Sequence, residues 1–211
     1  MPDRKLVVAD CGLGNIHSLL AALRRLAAPD ERVELTANPR HIERADAVFL
    51  PGDGSFGACV AEIDGRDLRS VLVDSAASKP FFAICVGMQV LFEASQEAPQ
   101  ARGLGVLDGQ ASRFPAAAGI KVPLMGWLDV QTVADRHPVF ASVSDGDRFY
   151  FLHSYFLPAT SRQVALTGQH SSPFAAAVAA GRLVATQFHP EKSHAAGLAL
   201  IEKFLELART D

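Results

Sequence analysis

Residues 80–92, PFFAICVGMQVLF, constrain the fold more than any other segment of this 211-residue chain. An apolar run of strand length ends at Cys85, and the chain then turns through Gly87 into an amphipathic stretch. This order is typical of a nucleophile elbow, in which a tight turn holds a reactive side chain above the end of a strand. The helix that follows directs its first backbone N–H groups toward an oxyanion and favours the thiolate.

The alternative for Cys85 is an inert cysteine in a core strand, which is the commoner fate of a free cysteine. Gly87 argues against it, because a crowded elbow needs glycine at that position and an ordinary strand does not. We therefore predict a strand, a nucleophilic cysteine and a helix, in that order.

A second reactive segment lies near the end of the chain, at residues 183–193, LVATQFHPEKS. Its first residues suit a buried strand, which Pro190 ends by removing a backbone donor. His189 and Glu191 are two residues apart, so their side chains point the same way and the carboxylate can orient the imidazole. With a cysteine they make a generalised triad, although the same residues alone are equally typical of a loop. Because His189 follows Cys85 by 104 residues, we expect a parallel sheet to set the two strand ends side by side.

Composition favours a compact cytosolic enzyme. The chain has 20% charged residues, a net charge of −3 and no basic cluster, so we do not expect it to bind nucleic acid. No apolar run approaches the ~20 residues that a membrane helix needs, and no signal peptide is expected. Cys11, Cys59 and Cys85 stand at unrelated spacings, which predicts free thiols in a reducing, cytoplasmic compartment.

Repeated strand and helix units predict an α/β fold with three layers, a mostly parallel open sheet with helices on both faces. The predicted strands are 5–9, 33–35, 47–50 and 81–84, and the predicted helices are 15–26 and 68–78. From 107 to 186, strands separated by turn residues predict a more antiparallel extension. A last helix at 193–208 presents an apolar stripe of Leu198, Ile201, Phe204, Leu205 and Ala208. Without a repeat or a linker, we expect a single domain over residues 1–211.

Two glycine-rich loops follow predicted strands. Residues 51–56, PGDGSF, suit either the second half of an oxyanion hole or a simple turn. Residues 10–15, DCGLGN, invite a dinucleotide-binding interpretation, but the third glycine of that fingerprint falls on His17.

A zinc-deaminase interpretation of the His-Pro-Glu motif fails, because no cysteine follows Cys85 to complete the ligands. We expect neither a metal nor a cofactor.

A set of motifs spreads over essentially the whole chain. They are Asp10-x-Gly12-x-Gly14-Asn15, Pro51-Gly52-x-Gly54, Cys85-x-Gly87-Met88-Gln89, Lys121-Val122-Pro123-x-Met125-Gly126-Trp127, Phe151-x-His153-Ser154-Tyr155 and Gln187-Phe188-His189-Pro190-Glu191-Lys192-Ser193. In combination they resemble the class I glutamine amidotransferases, and more narrowly the glutaminase subunits of imidazole glycerol phosphate synthases.

The resemblance implies hydrolysis of L-glutamine through a thioester on Cys85, with His189 moving the proton and Glu191 orienting the histidine. It implies an oxyanion hole of backbone N–H groups from Gly52, Asp53, Gly54 and Val86. It implies a glutamine pocket lined by Gly87, Gln89, Ser154 and Tyr155. The ammonia would pass, shielded from water, to a (β/α)8 cyclase partner in a heterodimer that serves histidine biosynthesis. The residues expected on the partner face are Asn15, Trp127, Tyr150 and Lys192.

The chain departs from the family pattern in several places. Leu124 and Leu128 stand where a histidine and an asparagine are usual, which predicts a more apolar and less salt-sensitive partner contact around Trp127. Asp53 stands where a valine is usual, and a carboxylate beside an oxyanion hole can disfavour the negative intermediate. The remaining departures, each in place of a glycine, are Ala83 and His194.

More than one function stays open on the sequence. The first is the histidine-pathway glutaminase subunit, and the second is a similar subunit that feeds ammonia to another acceptor, such as an enzyme that aminates a sugar. The third is a catalytically idle regulatory relative, which the intact Cys85, His189 and Glu191 disfavour.

Overall fold

The computed structural model describes residues 4–12, 16–116, 118–134, 136–160 and 163–210. The strands are β1 (Arg4–Ala9), β2 (Glu31–Thr36), β3 (Ala47–Gly52), β4 (Phe81–Cys85), β5 (Phe92–Ser95), β6 (Leu107–Arg113), β7 (Leu124–Thr132), β8 (Arg148–His153), β9 (Tyr155–Phe156), β10 (Val164–Gln169), β11 (Pro173–Ala180) and β12 (Leu183–Thr186). The helices are α1 (Ile16–Leu26), α2 (Pro39–Glu43), α3 (Phe56–Gly65), α4 (Arg69–Ser78), α5 (Val86–Val90) and α6 (His194–Arg209), with 3₁₀ turns at Pro138–Phe140 and Pro190–Lys192. Within these ranges no helix has the length and apolar character to cross a membrane.

A nine-stranded sheet in the order β2-β1-β3-β4-β12-β11-β10-β7-β8 forms the centre of the fold. Its first five strands are parallel neighbours, and the other four continue antiparallel. A separate three-stranded sheet, β5-β6-β9, lies beside it. The predicted α/β sheet with an antiparallel extension is therefore confirmed, and the extension supplies almost half of the large sheet.

Helix α6 shows how the sequence builds one layer onto this sheet. Its buried residues recur at helical spacing and form the face that packs on the sheet. On this face the ring centroid of Phe204 lies 5.2 Å from that of Phe49 in β3 and 5.0 Å from that of Phe82 in β4. The predicted apolar stripe is right at four positions, but Leu198 is only partly buried and Leu200 is fully buried instead. The helix therefore turns a slightly different face to the sheet than the sequence suggests.

Helices α2 and α3 are absent from the predicted elements, although both have ordinary start signals. The side chain of Asn38 accepts a hydrogen bond from the Arg40 N–H at 3.0 Å, and proline follows it at the first helical position. The Ser55 hydroxyl likewise caps α3 by accepting from the Ala58 N–H at 3.2 Å. The helix expected after Cys85 is present but short, since α5 has five residues.

The turn between β4 and α5 packs against the end of β3 with no room for a side chain. A Cβ on Gly87 would overlap the carbonyl oxygen of Leu50, and one on Gly52 would overlap the backbone nitrogen of Gly87. Both obstructing atoms belong to the backbone of buried elements, which are close-packed and cannot move aside freely. The requirement for glycine at the elbow is confirmed, and its cause is the contact between β3 and α5.

Gly87→Ala should destabilise the protein by about 2 kcal/mol, the usual cost of overpacking a rigid site. The matched control is Gly65→Ala at the end of α3, where an added methyl group has no atom within 4 Å. That change should leave the free energy of unfolding unchanged or raise it by up to about 1 kcal/mol. Urea unfolding of both variants measures the difference, and equal stabilities would contradict the proposed crowding.

Candidate active site

Cys85 ends strand β4 in a strained conformation. Its backbone has φ 57° and ψ −114°, a region that residues with a side chain rarely adopt and that costs about 1–3 kcal/mol. In the sheet register Cys85 is the partner of Gly52, the last residue of β3, so the glycine-rich loop after β3 begins beside the sulfur. The predicted strand, turn and helix of a nucleophile elbow are therefore present.

His189 reaches Cys85 because β12 lies next to β4 in parallel register. After β12 the chain is fixed to strand β8, since the His189 N–H donates to the Tyr150 carbonyl at 2.9 Å. The Ser193 hydroxyl completes this arrangement by donating to the His189 carbonyl at 2.6 Å and accepting from the Tyr150 N–H at 3.0 Å. The expectation that a parallel sheet brings the two strand ends together is confirmed.

His189 and Glu191 form a buried pair, with 2.8 Å between Nδ1 and Oε1. Burial disfavours the charged imidazole, but hydrogen bonds with Cys85 and Glu191 outweigh it and raise the pKa of His189 to about 10. The second carboxylate oxygen of Glu191 is buried without a partner among the described residues. The carboxylate thus fixes the tautomer and orientation of the imidazole and stabilises its charged form.

A cavity of about 190 Å³ opens beside the elbow. Its lining contains the expected oxyanion and glutamine-pocket residues Asp53, Gly54, Val86, Gln89, Ser154 and Tyr155. Gly52 and Gly87, which were also expected there, are not in the lining, because Gly52 packs against Gly87 and Gly87 packs against Leu50. Glu97 also lines the cavity and accepts the Phe56 N–H at 2.7 Å, although the sequence reasoning missed it. Glu97 follows β5 of the small sheet, and only the fold brings it here.

The amide of Gln89 has limited capacity for a ligand. Its Nε2 donates to the Tyr155 carbonyl and to Gln187 Oε1, both at 2.9 Å, so both N–H groups are in use. Only the amide oxygen remains available. Gln89 can therefore act toward a ligand as an acceptor.

Asp53 influences the glycine-rich loop through a local hydrogen bond. Its Oδ1 accepts the N–H of Gly54 at 2.8 Å, and Gly54 has φ 77°, a value that suits glycine. In this conformation the Gly54 N–H is engaged by a carboxylate. An oxyanion would have to displace that carboxylate to use the Gly54 donor.

The residues expected on a partner face lie near one edge of the large sheet, except Asn15, which is outside the described residues. Trp127 of β7 and Tyr150 of β8 are cross-strand partners with ring centroids 6.2 Å apart. Trp127 is 36% exposed and stacks on His194 at 4.8 Å, so it is not a core residue. Lys192 lies in the 3₁₀ turn that follows His189.

The expectation that Leu124 and Leu128 flank Trp127 is wrong. Side chains alternate along a strand, and the two leucines share the face of their β8 partners, the buried His153 and Phe149. Trp127 lies on the opposite face, together with the 64% exposed Met125. The leucines therefore complete the core and give no reason to expect a salt-insensitive partner contact.

Neither alternative site chemistry gains support. Among the described residues, no group of three or more His, Cys, Asp or Glu side chains is placed to hold a metal ion. Beside Gly12 of the first glycine-rich loop, the Arg66 guanidinium and the Glu62 carboxylate lie 2.6 and 2.8 Å from where a Cβ would be. The two side chains are paired with each other at 3.0 Å, so the charge of Arg66 is already offset. Residues 13–15 of the dinucleotide interpretation lie outside the described part of the chain.

Comparison with known proteins gives concordant matches. The family model Glutamine amidotransferase class-I matches residues 7–207. The imidazole glycerol phosphate synthase subunit HisH of Thiobacillus denitrificans is 44% identical over 208 residues, which cover 95% of this chain and 90% of that protein. The subunit of the same name from Methylococcus capsulatus is 44% identical over 207 residues, 95% of each chain.

Solved structures support the fold. A crystal structure described as a glutamine amidotransferase matches with a TM-score of 0.73 at 20% identity, over 97% of this chain and 99% of that one. The crystal structure of a glutamine amidotransferase from Thermotoga maritima matches with a TM-score of 0.62 at 16% identity, over 99% and 98% of the two chains.

Glu191→Gln should reduce stability in a pH-dependent way. A histidine whose pKa rises on folding contributes stability that is complete below the unfolded pKa of about 6.5 and is lost as pH rises through the folded value. With the pKa of His189 raised to about 10, the stability difference between wild type and Glu191→Gln should shrink between those two values. Urea unfolding across this interval measures it, and a difference that stays constant or grows with pH would contradict the charged pair.

Proposed function

Because the chain belongs to the class-I glutamine amidotransferase family, we propose that Cys85, His189 and Glu191 hydrolyse L-glutamine and supply ammonia to a partner enzyme. Within that family it belongs with the glutaminase subunits of imidazole glycerol phosphate synthase, relatives of which match it at 44% identity over 95% of its length. The observation that supports the proposed site most directly is the buried His189–Glu191 pair beside the Cys85 elbow.

In the proposed first half-reaction, the Cys85 thiolate attacks the side-chain carboxamide carbon of glutamine. A carbon–sulfur bond forms, and the carbonyl electrons move onto oxygen. The His189 imidazolium then protonates the amide nitrogen, the carbon–nitrogen bond breaks, and ammonia leaves behind a γ-glutamyl thioester. Glu191 keeps the imidazole oriented throughout and offsets its charge.

In the second half-reaction, neutral His189 takes a proton from a water molecule as the water oxygen attacks the thioester carbon. The carbon–sulfur bond breaks, glutamate leaves, and the sulfur returns to the thiolate beside a protonated imidazole. No further reagent is needed. The raised pKa of His189 suits this cycle, because the imidazolium must be present at neutral pH before the ammonia leaves.

The cavity offers complementary groups for a glutamine molecule. The Glu97 carboxylate and the free oxygen of Gln89 are acceptors for an α-ammonium group, which donates several hydrogen bonds. Ser154 and Tyr155 contribute to the same lining. Gly87 supports the pocket indirectly, by letting α5 approach β3.

We propose that the oxyanion is held by the Val86 N–H and by an N–H of the loop at Gly52, Asp53 and Gly54, each worth about 3 kcal/mol. The hydrogen bond from Gly54 to the Asp53 carboxylate competes with that function. A peptide rotation in this glycine-containing loop can exchange one arrangement for the other. Partner binding would then activate a site that is weak in the isolated chain.

The proposed ammonia acceptor is a (β/α)8 cyclase in a heterodimer, in keeping with the names of the curated relatives. Trp127, Tyr150 and Lys192 are the proposed contact residues of the described chain, and the exposure of Trp127 supports this role. We also propose that residues 1–211 form one glutaminase domain and that it works in the cytoplasm, where the free cysteines stay reduced.

Cys85→Ser and His189→Ala should each lower glutamine hydrolysis in the complex with the cyclase by about a thousandfold or more, because the nucleophile or its acid–base partner is lost. Ammonia-dependent synthesis by the same complexes should remain. The matched control is His41→Ala, which removes a surface histidine paired with Glu34 at 2.5 Å. Near-wild-type glutaminase turnover in either active-site variant would remove that residue from the mechanism.

Trp127→Ala should weaken binding of the cyclase by about 1–3 kcal/mol, the range for a truncated interface anchor, without changing the fold. The control is Leu35→Ala, which removes another exposed apolar side chain from β2 at the opposite edge of the sheet. Calorimetric titration measures affinity, and circular dichroism verifies the fold. If both variants bind the cyclase equally well, this edge of the sheet is not the partner face.

A further inference from the structure

A buried chain of hydrogen bonds leads from strand β9 to the sulfur of Cys85. His153 Nδ1 donates to the Tyr155 carbonyl at 2.8 Å, and Gln89 Nε2 donates to the same carbonyl at 2.9 Å. The other N–H of Gln89 donates to Gln187 Oε1 at 2.9 Å. Gln187 Nε2 then donates to Cys85 Sγ at 3.8 Å.

The Tyr155 carbonyl fixes which atom donates and which accepts in each of these hydrogen bonds. A backbone carbonyl can only accept, so the Gln89 atom that faces the Tyr155 carbonyl must be the amide nitrogen. The second N–H of that nitrogen needs an acceptor, which makes the facing atom of Gln187 its oxygen. The amide nitrogen of Gln187 is thereby turned toward the sulfur. The orientation of both amides thus follows from the network as a whole.

Gln187 has no freedom to leave this position. It is fully buried, its backbone N–H donates to the Ala176 carbonyl of β11 at 2.9 Å, and the preceding Thr186 hydroxyl donates to the Phe188 carbonyl at 3.0 Å. A buried amide that lost the sulfur as its acceptor would remain unsatisfied, which destabilises the folded state.

The geometry points to Gln187 as an additional catalytic residue, whose amide N–H donates to the reacting sulfur and favours the thiolate of Cys85. The inference rests on the proposed role of Cys85 as the nucleophile. It assigns Gln187 a function separate from that of His189, because an amide has no proton to give or take at neutral pH and can only stabilise charge.

The sulfur also faces the His189 imidazole, which attracts a thiolate when it is charged, and the Leu152 carbonyl, which does not. The contact with Leu152 shows what a second donor offsets. Cys85 Sγ lies 3.8 Å from the Leu152 carbonyl oxygen, which accepts the thiol hydrogen but repels a thiolate. Ionisation of Cys85 therefore replaces a favourable contact with an unfavourable one. The Gln187 N–H has the opposite preference, since hydrogen bonds strengthen when the acceptor becomes charged.

The test is the pH profile of Cys85 alkylation by iodoacetamide in the full chain, followed by mass spectrometry of the Cys85 peptide across roughly pH 5 to 9. Gln187→Met keeps the side-chain length and removes the donor. It should shift the profile to higher pH and slow alkylation at neutral pH by about tenfold, the size of a lost hydrogen bond to a charged group. The matched control Gln110→Met, at an exposed position of β6, should leave the profile unchanged.

Gln187→Glu provides a second variant that keeps an acceptor for Gln89 and places a carboxylate oxygen near the sulfur. Gln187→Glu should shift the alkylation profile of Cys85 to higher pH by at least as much as Gln187→Met does. If Gln187→Met does not fold, the Gln187→Glu profile alone tests the inference. A profile that stays at the wild-type position in a folded variant, judged by circular dichroism, would overturn the inference. Because alkylation needs neither glutamine nor the cyclase, its result is separate from that of the glutaminase assay on the complex.

Discussion

The position of β4 between β3 and β12 is the constraint on which the rest of the site depends. Both neighbours are parallel to β4, so the loop after β3, the cysteine that ends β4 and the histidine after β12 meet at one edge of the sheet. The close contact between Gly52 and Gly87 lies directly beside Cys85, which has a strained backbone conformation. Strain of this kind persists only where the surroundings determine the backbone completely, as buried close-packed strands do here.

Charge in the buried site is controlled by single polar contacts. Glu191 offsets the desolvation of His189, and one amide and one carbonyl oppose each other at the sulfur of Cys85. In a low-dielectric interior such contacts are stronger than in water, and leaving one unmade is costly. The same reasoning gives Asp53 its importance, because a carboxylate bonded to the Gly54 N–H competes directly with a developing oxyanion.

The sequence predicts those features that depend on local order along the chain. The elbow at Cys85 and the pairing of His189 with Glu191 follow from strand, turn and spacing patterns, and the alternation of elements explains how distant residues meet. Glu97 could not be predicted, since it enters the cavity from the small sheet and has no spacing relation to Cys85. The separation of Leu124 from Trp127 is predictable from the sequence, because residues three apart on a strand lie on opposite faces.

Covalent labelling with a diazoketone analogue of glutamine, in the presence of the cyclase, tests the central claim that this sheet edge activates Cys85 toward a glutamine carboxamide. Burial raises the pKa of the Cys11 thiol to about 12 and also raises that of Cys59, so neither should compete at neutral pH. Mass spectrometry should therefore find a single adduct per chain, on Cys85, and excess glutamine should prevent it. An adduct on Cys11 or Cys59, or labelling of Cys85 that glutamine does not reduce, would contradict the account.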